Sequence, residues 1–263
     1  MNVQAGHAST IDPDAMKAHY EREIEAAAGF GRGDDRHSHR TFRGMLKASR
    51  RLPARRLEGD EGVWLWSDLH LGHGNIIRYA DRPFENVAAM NATLYRNWDN
   101  TVGEADTLVF VGDLAMRDAV SEPTWQRIRD GRGSCKRLVF GNHDLTGGGD
   151  LRVDGFDDVC SVLCLDGDPP LVCTHLPLKE VPAGCVNVHG HTHNEPPRET
   201  AHINVSVEQL DYRPVAASRL RALARELVAG RVPQGNTTQQ RLRALTRPGQ
   251  ATPRRVPYRV HRC

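Results

Sequence analysis

Val63-Trp64-Leu65-Trp66-Ser67-Asp68-Leu69-His70 joins a short apolar run to a polar end. Four large apolar residues in a row are too few for a helix and read as a buried strand. Asp68 and His70 follow at its end, and alternate residues of an extended segment project to the same side. The pattern recurs downstream. Thr107–Val111 is followed by Gly112-Asp113, Arg137–Phe140 by Gly141-Asn142-His143-Asp144, Leu171–Thr174 by His175, and Cys185–His189 by Gly190-His191-Thr192-His193. Helical patterns separate the first three of these strands. One spans Asn86–Val102, with Val87, Met90, Leu94 and Trp98 at three- and four-residue spacing, and the other spans Glu122–Asp130. Further strand-length runs follow at Val159–Leu165 and Ile203–Val207, and Pro214 opens an amphipathic helix that runs to about Ala229. Strands alternating with helices, then strands in succession, predict an α/β domain of mixed sheets covered by helices over residues 61–230.

Outward from that domain the composition changes. Residues 61–230 carry 16 basic and 24 acidic groups, whereas residues 231–263 carry 8 basic groups and no acid. Residues 1–60 are close to balanced, with 11 basic and 9 acidic groups. They read as a polar, basic N-terminal extension, partly helical over Asp14–Ala28 and otherwise disordered, with a break at Gly29–Gly33. Residues 231–263 read as a basic, disordered tail with little to bury. Basic flanks, including the acid-free stretch Arg36–Arg56, are expected to attract nucleic acid if they attract a polymer at all.

The longest apolar runs fall far short of the roughly 20 residues that cross a bilayer, so no membrane partner is expected. The N-terminus lacks the basic start and apolar core of a secretory signal. The six cysteines form no Cys-x-x-Cys pair, and several lie in apolar strands. A reduced, cytoplasmic protein is the reading that follows.

The polar residues at the strand ends share one chemistry. Carboxylate and neutral imidazole are ligands for Mn, Fe, Zn and similar divalent ions. Open sheets place ligand sites beyond such strand ends. Asp68, His70, Asp113, Asn142, His175, His191 and His193 are too many for one tetrahedral ion, but they suit two ions about 3.5–4 Å apart. Asp113 has two oxygens and is able to bridge. The glycines before the ligand groups allow close backbone approach.

This ordered set, from Asp68-Leu69-His70 through Gly112-Asp113, Gly141-Asn142-His143-Asp144 and Thr174-His175 to Gly190-His191-Thr192-His193, resembles the calcineurin-like metallophosphoesterase superfamily over about residues 64–215. The stretches Ser67–His73, Asn75-Ile76-Ile77-Arg78-Tyr79, Arg82-Pro83-Phe84 and His175-Leu176-Pro177-Leu178 are similar to a small bacterial and phage branch of it. The resemblance implies a four-layer αββα sandwich, two mixed β-sheets flanked by helices. It implies one metal on Asp68, His70 and His193, a second on Asn142, His175 and His191, and Asp113 between them. It makes His143 the catalytic histidine near the leaving group.

The expected function is therefore a dinuclear metal-dependent phosphoesterase acting on a phosphate-ester substrate. A metal-activated hydroxide would attack, with His143 as general acid and the Asp144 carboxylate orienting it. Mn is the expected metal, with Fe, Zn or Ni as alternatives. His73 is expected to contact the phosphate or leaving group beside a helix starting at Gly74-Asn75, and Arg78 or Arg82 to neutralise a second phosphate. Two other readings compete. One is a nuclease or nucleotide phosphodiesterase that holds nucleic acid on the basic flanks. The other is a non-catalytic, metal-stabilised protein-binding scaffold, against which the intact His143 speaks.

Overall fold

The structure, a computed structural model, describes residues 10–30, 36–115, 121–146, 149–151, 153–246 and 254–255. In chain order it opens with helices α1 (Pro13–Phe30) and α2 (Arg36–Arg51), then strands β1 (Ala54–Leu57) and β2 (Val63–Trp66). Next come α3 (Gly74–Tyr79), α4 (Val87–Asp99), β3 (Thr107–Phe110), α5 (Glu122–Asp130), β4 (Cys135–Val139) and β5 (Asp158–Cys160). The second half holds β6 (Val162–Leu165), β7 (Leu171–Cys173), β8 (Val186–His189), β9 (His202–Asn204), a 3-10 turn (Val207–Leu210) and β10 (Val215–Ala216). It closes with α6 (Ala217–Val228), β11 (Arg231–Val232), α7 (Thr238–Leu245) and β12 (Arg254–Arg255).

Two mixed sheets of five strands, flanked by helices, form the body, as expected of an α/β two-sheet sandwich. One has the order β10-β2-β3-β4-β5, with β2, β3, β4 and β5 parallel and β10 antiparallel at its edge. The other has the order β1-β6-β7-β8-β9, with an antiparallel step only between β6 and β7. Parallel strands end on the same edge, so the loops after β2, β3 and β4 emerge together. The parallel pair β7 and β8 does the same for His175 and for His191 and His193. The sheets meet at that edge, where Ser67 bridges Ser206. The β2–β3 ladder continues into the loops as Asp68 N–H donates to the Gly112 carbonyl and His70 N–H to that of Asp113, both at 3.1 Å.

The apolar runs of the inner strands are largely buried because those strands are covered on both faces. Leu65, Trp66, Val109, Phe110, Leu138, Val186 and Val188 have no exposed surface, and Trp98 on α4 packs edge-on to Phe110. The run 159–165 turns out to be two strands in different sheets. Buried Ser161 is the joint, its hydroxyl 2.6 Å from that of Ser49. The last long helix starts at Ala217 rather than at Pro214, because Val215 and Ala216 first pair with β2.

Both flanks belong to this body more than the sequence suggested. In place of a separate extension up to residue 60, α1 and α2 lie against one sheet and bury Tyr20, Ile24, Met45 and Ala48 among Val162, Cys164 and Val172. Strand β1 joins that sheet beside β6. Sparse apolar residues at helical spacing were enough, because the sheet offered an uncovered face. After Gly230, α7 is capped by the Thr237 hydroxyl and buries Leu242. Helix α1 runs on through Gly29 and Phe30, where a break was expected, and the rest of that break, residues 31–33, lies outside the described residues, as does the tail beyond 246 apart from the Arg254–Arg255 backbone.

The basic stretch is also less free than its charge implied. Lys47 and Arg51 pair with Asp150, Arg50 with Glu25, Arg55 with Asp158, and Arg56 with Asp166. Among the described residues no helix is long and apolar enough to cross a membrane, and the five described cysteines are free of disulfides.

Candidate metal centre

All seven expected ligands converge on the edge where the sheets meet. Asp68 Oδ1 lies 3.9 Å from His70 Nε2 and 3.7 Å from His193 Nε2. Asp113 Oδ2 lies 3.7 Å from His70 Nε2 and 3.2 Å from His175 Nε2. Asn142 Oδ1 is 3.1 Å from the same His175 nitrogen, and the His175 and His191 rings are 5.2 Å apart. Three groups have ligand atoms all within 4.8 Å of one another: Asp68, His70 and His193; Asp113, His175 and His191; and His70, Asp113 and His143. These clusters of Asp and His are able to bind metal ions.

The backbone is bent to bring them there. Asp68, His70, Asp113, His191 and His193 all adopt left-handed φ values between 45° and 68°. Such conformations cost about 1–3 kcal/mol each for residues with a Cβ, and they persist where surrounding structure over-determines them. A Cβ on Gly141 would overlap the Asp113 carboxylate, and one on Gly190 would overlap Ser67 and the Asp68 carboxylate. Glycine is required at both positions for the loops to close on the carboxylates.

Hydrogen bonds aim the carboxylates. Asp68 Oδ2 accepts from the Ser67 and Ser206 hydroxyls at 2.7 and 2.9 Å and from His191 N–H at 2.9 Å, which turns Oδ1 toward His70 and His193. Asp113 Oδ1 accepts from His143 N–H at 2.8 Å, leaving Oδ2 as the oxygen that faces the rings. His175 Nδ1 is 2.9 Å from the Val111 carbonyl, so this nitrogen donates there and Nε2 is the ring atom that faces the cluster.

Asp144 has a different part from the one expected. Its Oδ1 accepts from Leu114 N–H, and its Oδ2 accepts from the N–H groups of Asp113 and Gly141. It ties the β3 loop to the β4 loop and positions Asp113, rather than orienting the His143 ring. His143 stands at the mouth, 34% exposed, with Nε2 4.0 Å from Asp113 Oδ2. The His73 ring lies beside it, at 5.4 Å from His70 and 6.2 Å from His143. Arg78 is exposed and sits over the Tyr79 ring.

Arg82 is neither a surface ion pair nor a phosphate contact. It is buried, donates to the carbonyls of Asp68 and Leu69, and pairs with Glu208 at 2.8 Å. Glu208 in turn lies 3.1 Å from His193 Nδ1. This Arg82–Glu208–His193 relay fixes the ring so that Nε2 faces Asp68. Reasoning from sequence missed Glu208, because nothing in Val205–Leu210 distinguishes it from a turn residue.

The electrostatics of the cluster suit a divalent cation. Burial pushes His70 well below its ordinary value, and the Nε2 atom that faces both carboxylates is buried without any hydrogen-bond partner. A buried nitrogen left unpaired between two carboxylate oxygens at 3.7–3.9 Å matches a gap spanned by two ligand bonds of about 2 Å. Burial and the neighbouring His175 charge push His191 down to about 4. Burial lowers His175, but the Asp113 charge and hydrogen bond, with the Asp68 charge and the Val111 carbonyl, together hold it up at about 10. Burial and the Asp113 charge raise Asp144 to about 7 against its backbone donors. Two abutting buried carboxylates and a crowd of imidazoles are what a divalent cation relieves.

Fold and site together define a two-sheet α/β protein with a buried Asp/His cluster able to bind metal. The chain belongs to the family of the uncharacterized protein MJ1445 of Methanocaldococcus jannaschii, to which it is 33% identical over 163 residues, 59% of this chain and 86% of that protein. It is also similar to the Gene 66 protein of Mycobacterium phage L5, at 36% identity over 85 residues, 31% of this chain and 39% of the phage protein. Among solved structures, a protein of unknown function, AQ665 from Aquifex aeolicus, aligns at a TM-score of 0.49 and 21% identity, over 61% of this chain and 98% of that one. No protein-family model matches the chain.

Proposed function

We propose that the protein is a dinuclear metal-dependent phosphoester hydrolase of the calcineurin-like type. The observation that carries this reading is the position of Asp113 Oδ2, which faces His70 of one ligand group and His175 of the other. A shared carboxylate oxygen between two ligand sets is the arrangement that a pair of cations needs. Asp68, His70 and His193 would hold one ion, and Asn142, His175 and His191 the other, with Mn²⁺ as the expected metal. When bound, such ions acidify water and screen the charge of a phosphoryl group.

The chain's own residues supply the rest. Asp68 and Asp113 each turn one oxygen inward, because backbone and hydroxyl donors hold the other. His143 is a part-exposed imidazole at the mouth that the ligand sets leave free, and it would give a proton to a departing alkoxide. Asp144 keeps its neighbours in register through the backbone N–H groups it accepts from. The names of the relatives carry no activity, so the reading rests on the geometry and on the motif resemblance.

The test is hydrolysis of an aryl phosphate ester by the full chain, run with and without chelator, in wild type and in His143→Ala. Chelation should abolish turnover and added Mn²⁺ restore it. The variant should keep its metal yet lose at least about 100-fold in rate. Activity that survives complete metal removal overturns the proposal.

A further inference from the structure

Tyr79 is the one large apolar side chain among the described residues that is exposed, at 65%. It ends α3, a helix that buries Ile76 on one side and shows Asn75, Arg78 and Tyr79 to solvent. The helix starts directly after His73, and the Tyr79 ring returns to stand edge-on to the His73 ring at 6.3 Å. His73 in turn lies 6.2 Å from His143 and 5.4 Å from His70. A line of rings therefore runs from the ligand cluster, through the mouth, to an exposed aromatic face. The Arg78 guanidinium lies 5.5 Å from the centre of that ring. The Asn75–Tyr79 segment has no part in holding metal, and the exposure of its tyrosine has no packing reason.

We infer that Tyr79, with Arg78 beside it, is a stacking subsite for the nucleobase of a nucleotide ester whose phosphate sits at the Asp/His cluster. The occupant follows from the surroundings. A single ring rimmed by His73, Asn75 and Arg78 offers too little apolar area for a lipid or a protein partner. It suits one flat, π-rich group with polar edges. His73 lies between the ring and the cluster, where the sugar of such an ester would run. The Arg78 cation, over one face of the ring, favours a ligand that is both aromatic and anionic. The inference rests on the phosphoesterase reading for where the phosphate sits, and it narrows the substrate class to nucleotides or nucleic-acid ends.

The experiment compares binding of AMP with binding of ribose phosphate, the same ester without its base, to the Mn²⁺-loaded full chain by calorimetry. Wild type should bind AMP at least about tenfold more tightly than ribose phosphate. Tyr79→Ala should bring that ratio close to one, and Tyr79→Phe should keep it. Because Tyr79 is exposed, the alanine variant should fold, and its melting temperature checks this. A wild-type ratio near one, undetectable binding of both ligands, or a preference that survives in Tyr79→Ala overturns the inference. Binding is read without turnover, so the two readings fail separately. A Tyr79-dependent base preference in a protein that hydrolyses no ester sinks the hydrolase alone, whereas hydrolysis without base preference sinks the subsite alone.

Discussion

Glu208 shows how much of the centre is set by residues that hold the candidate ligands in place rather than serving as ligands themselves. Its Oε1 receives Arg82 on one side and His193 Nδ1 on the other, and Arg82 also grips the carbonyls of Asp68 and Leu69. One buried ion pair thus fixes a ligand ring and the backbone of the first ligand loop. Outer partners of this kind affect metal affinity about 10–100-fold. Glu208→Gln should therefore weaken Mn²⁺ binding by about tenfold in equilibrium dialysis while the chain stays folded. Affinity unchanged in that variant would remove the positioning role. The convergence of the seven candidate ligands was legible in sequence, because Asp, His and Asn recur at the ends of apolar runs. Glu208 and Arg82 were not, since their partners lie across the fold, 126 positions apart.

Among the elements, α1 is the least expected contributor to the site. Its Tyr20 is buried, and the phenol accepts from Leu176 N–H, next to the ligand His175, at 3.3 Å. Glu23, one turn further on, accepts from the N–H groups of Lys179 and Glu180 at 2.7 and 2.9 Å. The helix thus clamps the loop that follows His175. Tyr20→Ala should lower stability by about 3 kcal/mol in denaturant unfolding and weaken Mn²⁺ binding with it. A loss below about 1 kcal/mol would show that the clamp is dispensable. The strands and the helices between them were legible from periodicity. The docking of α1, α2 and β1 was not, because it depends on Val162, Cys164 and Val172 presenting an apolar face more than a hundred residues later. The division of 159–165 between two sheets escaped notice for a similar reason: an apolar run records burial, not which sheet it enters.

For the whole molecule, buried neutral histidines couple stability to pH. Burial holds His189 down at about 3, and it lowers His202, whose ring is 5.8 Å away and whose Nε2 is 2.7 Å from the Leu178 carbonyl. Above the ordinary histidine value of 6.5, folded and unfolded chains both hold these rings neutral. As pH falls below it, only the unfolded chain takes up the protons, so stability falls. His189 alone accounts for about 2 kcal/mol at pH about 5. The melting temperature of the chain should drop steadily from pH about 6.5 to about 4.5, and His202→Asn should flatten the slope. A melting temperature that is flat or rises over that range contradicts this. On the same scale, four arginines of the basic N-terminal stretch that looked available to a polyanion, Arg50, Arg51, Arg55 and Arg56, are paired with Glu25, Asp150, Asp158 and Asp166.

The most direct test is the metal content of the full chain after dialysis against Mn²⁺, read by elemental analysis in wild type and in Asp113→Asn. Two ions per chain in wild type, with occupancy reduced at both positions in the variant, is the predicted result. No bound metal in wild type, or two ions retained in Asp113→Asn, would contradict the account.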